Sequence, residues 1–134
     1  MYTFNQVAAR VFLGHLFLMA GLSKIGAYEG TQGYMEAMGV PGALLPLVIL
    51  LEAAGGLAII VGFQTRLTSY ALAAFSIVAA VIFHSNFADQ TQMIMFMKNI
   101  AIAGGFLLLV NQGSGAYSLD NVLASRNKLQ AIHS

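Results

Sequence analysis

The chain has 134 residues, of which 58% are hydrophobic and 8% charged, where an ordinary soluble domain carries about a quarter charged. So few polar groups cannot cover a water-facing surface, and a net charge of +1 gives no basis for nucleic-acid binding. The absence of cysteine excludes disulfides, thiolate metal sites and CxxC redox chemistry.

A membrane protein is therefore expected, as one all-α domain over residues 1–134. Four apolar stretches reach the length of about 20 residues that a bilayer requires. The first runs over 5–25. No basic segment precedes it, and Arg10 lies inside it, so it reads as a retained span rather than a cleaved signal peptide. The loop from Gly26 to Gly42 is long enough for a short interfacial helix from Thr31 to Met38. Thr31 would be its N-cap and Gly39 its stop before Pro41. Tyr28 and Tyr34 suit the headgroup level. The second span covers 43–63, the third 67–87 and the fourth 92–111. Tight turns at Gln64–Arg66 and Ala88–Thr91 make their neighbours antiparallel, which predicts a four-helix antiparallel bundle. Gly113-Ser114-Gly115 ends the last span, and Ser118 caps a segment over 118–131 that carries Arg126 and Lys128 and suits the membrane surface. Arg66, Arg126 and Lys128 outnumber Lys24 on the other side, which predicts cytoplasmic N- and C-termini.

Glu52 is the anomaly in this pattern: a carboxylate inside the second span, where burial in lipid is costly. Small residues recur beside the in-span charges, with Gly56 beside Glu52, Ala101 and Gly105 beside Lys98, and Gly14 and Gly21 in line with Arg10 and Lys24. These faces are expected to turn inward. Counted from the ends of the spans, Glu52 lies roughly 14 Å below the outer surface, Lys98 roughly 9 Å and His84 roughly 5 Å. Lys24 falls at that surface, and Arg10 roughly 22 Å below it. The count predicts a Glu52–Lys98 pair, with Arg10 as reserve partner; the alternative is a neutral Glu52 hydrogen-bonded to Asn99 or a carbonyl. His15 and His84 differ too much in depth to share a haem iron. No metal cluster, nucleophile–base pair, P-loop or dinucleotide fingerprint is present, so no catalytic residue is assigned.

Several short motifs, in order, carry a family resemblance. They are Arg10-x-x-x-Gly14 and Ala20-Gly21-Leu22-Ser23-Lys24, Tyr34-Met35-Glu36-Ala37-Met38-Gly39-Val40-Pro41, and Glu52 with Gly55-Gly56. Gly62-Phe63-x-Thr65-Arg66, Phe83-His84, Lys98-Asn99 with Gly104-Gly105, and Ser118-Leu119-Asp120 follow. Together they resemble the DoxX family of small four-helix bacterial inner-membrane proteins, in the branch labelled as oxidoreductases. The resemblance implies a multi-pass inner-membrane protein associated with quinone-dependent redox systems.

Two readings follow. Arg10, Lys24 and Lys98 face a single in-span acid, and this surplus of positive charge suits a ligand with carbonyl or anionic oxygens, such as a quinone. Glu52, Lys98, Asn99, His84, Arg10 and Lys24 would form its site in a subunit of a membrane redox system. Any redox group would be a bound quinone or belong to a partner protein, because the chain itself carries none. In the other reading the protein is a non-catalytic membrane scaffold or assembly partner, in contact with another subunit or as a homo-oligomer, whose buried ion pair locks helix register. A transporter is the weakest reading, since four helices leave little room for a pore and no inverted repeat is visible.

Overall fold

Lipid offers backbone amides no hydrogen-bond partner, so spanning segments must pair their own polar groups and coil into helices. The computed structural model describes residues 2–134 and has that form. Helix α1 covers Tyr2–Gly26 and α2 Tyr28–Ala37; a 3-10 turn at Gly42–Leu44 leads into α3, Leu45–Val61. Helices α4 (Thr65–Phe83), α5 (Gln90–Gln112) and α6 (Leu119–His133) follow. Four segments are long and apolar enough to cross a membrane: Thr3–Gly26, Gly42–Val61, Thr65–Phe83 and Gln90–Gln112. Four crossings put both ends of the bundle's chain on one side, with the α3–α4 turn; α2 and the α4–α5 turn lie on the other.

The helix ends follow local chemistry. Asp89 caps α5 by accepting from the Thr91 amide at 2.9 Å, and Ser118 caps α6 by accepting from the Asn121 amide at 3.1 Å. Gly39, at φ +83°, takes the left-handed turn after α2. Two local expectations are corrected. Thr31 does not cap α2: the helix starts a turn earlier, and the Thr31 hydroxyl donates back to the Ala27 carbonyl at 2.8 Å. The third span ends at Phe83 rather than 87, because His84, Ser85 and Asn86 are polar and turn the chain toward α5.

The bundle is built from two tight pairs, α1 with α3 and α4 with α5, joined more loosely along α3–α4 and α1–α5. Glycine sets the first pair. A methyl on Gly21 would stand 2.7 Å from the Ala53 nitrogen, and one on Gly14 would stand 2.6 Å from the Gly56 carbonyl oxygen. A methyl on Gly56 would collide with the Leu18 backbone. The two backbones therefore touch, as small residues allow in membranes. The pairs meet over a shared core in which Phe17 packs edge-on against Phe106 at 5.5 Å and Phe75 at 6.4 Å. Ile59, Leu72 and Ala103 complete it.

Candidate functional site

The register of α1 on α3 decides where Glu52 finds its partner. With Gly21 against Ala53 and Leu18 against Gly56, Glu52 is level with Leu22 of α1. Lys24 is two residues higher, a rise of about 3 Å, within easy reach of its four-carbon stem. Its ammonium lies 2.7 Å from Glu52 Oε1 in a salt bridge. The carboxylate side is almost sealed, with 4% of the Glu52 side chain exposed against 28% for Lys24.

This corrects the expected Glu52–Lys98 pair and its reserve, Glu52–Arg10. The depth count assumed that all four spans start in one plane. In fact the first turns of α3 stand higher than the end of α1, level with the α2 segment, so Lys24 comes down to Glu52. Lys98 is exposed on the outer face of α5, because the residues that turn toward the core are Asn99, Ile102, Ala103 and Phe106. Arg10 lies at the opposite end of the bundle. It is 2% exposed, and its guanidinium donates to the Tyr117 carbonyl. His15 is exposed on α1, its Nδ1 2.7 Å from the Phe12 carbonyl of its own helix.

Three of the anticipated residues do gather with Lys24. Glu52, His84, Asn99 and Lys24 line one cavity of about 500 Å³ in the half of the bundle nearest α2. Phe17, Phe75 and Ile102 line its deeper part, and Thr31, Tyr34 and Met35 of α2 line it from above. Tyr34 stacks on Phe83 with ring centroids 5.5 Å apart, which ties α2 to the end of α4. The walls are mostly aliphatic and aromatic. His84 Nδ1 lies 2.8 Å from Gln92 Oε1. With that oxygen accepting, Nδ1 carries the proton, and Nε2 of a neutral ring is left as an acceptor. A cavity of this size, apolar with a few convergent polar groups, is what small-ligand sites usually look like. Its polar equipment is one charged donor–acceptor pair, one imidazole, one carboxamide and the hydroxyls of Thr31, Tyr34 and Ser76, of which Thr31 and Ser76 donate back to carbonyls four residues earlier.

The other end of the molecule holds a constellation that sequence reasoning missed. Asp120, at the start of α6, accepts from the Gln64 amide at 2.7 Å and the Thr65 amide at 3.0 Å. It thereby caps α4 from a distant part of the chain, where a negative charge also complements the helix dipole. The Asp120 amide donates to the Gly62 carbonyl at 2.9 Å. Gly62 ends α3 at φ +74°, and a side chain there would run into the Arg10 guanidinium and Ser118. The signal was present in the order of the motifs: Arg10, Gly62-x-x-Thr65 and Ser118-x-Asp120 are the pieces that meet. It was not legible because no charge or spacing rule joins residues 55 to 107 positions apart.

The comparisons with known proteins follow this geometry. The family profile described as DoxX matches residues 6–85, which include Arg10, Lys24, Glu52 and His84. The chain is similar to the inner membrane protein YqjF of Escherichia coli strain K12, at 57% identity over 87% of this chain and 90% of that protein. It is also similar to the inner membrane protein YphA of the same strain, at 36% identity over 84% of this chain and 85% of the relative. No solved structure matches it. With four membrane-spanning helices and these relatives, the chain is a multi-pass inner membrane protein and belongs to the DoxX family.

Proposed function

We propose that this protein binds a quinone-like amphiphile in the cavity beneath α2, as the ligand-holding subunit of a membrane redox system. One observation carries the reading: a cavity of about 500 Å³ with apolar walls and the Lys24–Glu52 pair, His84 and Asn99 on its lining. A quinone ring is flat, apolar on its faces and polar only at two carbonyl oxygens. The Lys24 ammonium and the Asn99 carboxamide nitrogen are donors for such oxygens, and His84 is a donor when its free nitrogen is protonated. No surplus of positive charge converges on the cavity. Lys98 faces outward, Arg10 serves the far end, and Lys24 is matched by Glu52, so the cavity and its polar groups now support the reading.

The test is extraction in mild detergent followed by mass spectrometry of bound small molecules. The wild type is expected to retain a quinone. A Glu52→Gln/Lys24→Met double variant, which removes both charges together and so leaves neither stranded, is expected to lose it while staying folded. Equal quinone in both proteins, or none in either, would sink the proposal. In the second case the bound fraction identifies whatever else occupies the cavity.

A further inference from the structure

The geometry points to a lateral door. Resting on the binding reading above, it assigns the seam between α1 and α5, in the half of the bundle nearest α2, as the route by which a membrane-dissolved ligand enters the cavity and through which its tail remains in the bilayer. Three observations converge there. The first is size: about 500 Å³ admits a head group and a short chain, but a polyisoprenoid or long acyl tail does not fit and has to leave through a wall.

The second is packing. Helices α1 and α5 touch where Phe17, at the floor of the cavity, meets Phe106 at 5.5 Å, and where a methyl on Gly105 would lie 3.4 Å from Leu13. Over its whole length α1–α5 is much the sparser contact beside the tight α1–α3 and α4–α5 pairs, and sparser too than α3–α4. The third is exposure. Leu16 on α1 and Met95 on α5 both line the cavity, yet they are 43% and 41% exposed, so each faces the cavity and the lipid at once. Lys24, the more exposed member of the ion pair, stands on α1 beside the same seam. A head group passing Leu16 and Met95 meets a charged donor first.

The α3–α4 seam is the competitor, since Val78 also lines the cavity and is 53% exposed. That side is strapped by α2, which donates from Gln32 to the Gly42 carbonyl at 3.2 Å and stacks Tyr34 on Phe83. The strap spans from the start of α3 to the end of α4, and α3–α4 is the better packed of the two loose seams.

The chain has neither cysteine nor tryptophan, so single introduced residues are unique reporters. A Phe75→Trp variant places a fluorophore on the cavity wall. In nanodiscs, decylubiquinone entering the cavity quenches it at a measurable rate. Into that background Ala20→Cys is introduced at the α1–α5 seam or, separately, Val78→Cys at the other. Each folded protein is then blocked with a bulky methanethiosulfonate that a reductant removes. The expected result is quenching slowed on the order of tenfold by the Ala20→Cys adduct, restored by reductant, and unaffected by the Val78→Cys adduct. Slowing by the Val78→Cys adduct alone, by both, or by neither overturns the route while leaving the binding reading intact. No quenching in the unblocked reporter, at any decylubiquinone concentration the nanodisc tolerates, overturns the binding reading and the route with it. Retained labelling stoichiometry and thermal transition in the adducts separate blockage from misfolding.

Discussion

Lys24 and Lys98 carry the same side chain in the same half of the same bundle, and their surroundings give them opposite energetics. The Lys24 ammonium is spent on a carboxylate that has 4% of its side-chain surface exposed. Replacing Lys24 by Met strands that carboxylate in an apolar wall, at a cost of about 3 kcal/mol, the low end for breaking a buried pair because Lys24 itself is partly exposed. Lys98 faces away from the core, and a lysine stem is long enough to carry its charge from such a face toward the headgroups. Lys98→Met is expected to change stability by no more than about 0.5 kcal/mol. The measurement is equilibrium unfolding in mixed detergent micelles. Adding Glu52→Gln should recover most of the Lys24→Met loss and none of any Lys98→Met loss, a non-additivity that identifies the partner. Similar costs for the two lysines would contradict the pairing described above.

At the scale of helices, glycine does two different jobs here. Gly56 sits where α1 and α3 backbones touch, and a methyl there meets Leu18 main-chain atoms that have no side-chain freedom to yield. Gly104 has nothing within 4 Å of the same added methyl. Gly56→Ala is therefore expected to cost about 1–3 kcal/mol, as overpacking does, and to loosen the α1–α3 register on which the ion pair depends. Gly104→Ala should be neutral or slightly stabilising. Thermal unfolding of the two variants in one detergent checks this, and equal losses would remove the case for backbone contact. The contrast also marks how far the sequence could be read. Apolar length located the four spans, because lipid demands helices of that length and little else competes with that demand. On α5 the small residues mislead: Gly105 does face α1, but Lys98 and Ala101 are exposed, and the inward stripe runs through Asn99, Ile102, Ala103 and Phe106. Counting along Lys98, Ala101 and Gly105 turned the helix about 100°, one residue, away from its true inward face. The partner of Glu52 was missed for a related reason. Depth along a helix is readable from residue number, but the offset between two helices is set by where their glycines interlock, and that needs both faces at once.

At the scale of the whole molecule the polar residues divide between two ends. One end holds Lys24, Glu52, His84 and the cavity. The other holds Arg10, Gly62 and Asp120, where the start of α6 is fastened to the α3–α4 turn. The termini end is fastened by hydrogen bonds to backbone groups, between Asp120 and the start of α4 and between Arg10 and the Tyr117 carbonyl, and the ion pair and the cavity lie at the α2 end. Which compartment that side faces is a question of topology. Arg66, Arg126 and Lys128 lie on the termini side and Lys24 at the other, and a positive excess marks the cytoplasmic face. The cysteine-free chain makes the test direct. In spheroplasts, a maleimide that cannot cross membranes is expected to label Gly30→Cys on exposed α2 before lysis and Ser134→Cys only after it. The reverse pattern would invert the molecule, place the cavity toward the cytoplasm and move its supply of protons and ligand to the inner leaflet. With the expected pattern, the proposed lateral route would open into the outer leaflet, with Lys24 and His84 on the side away from the cytoplasm.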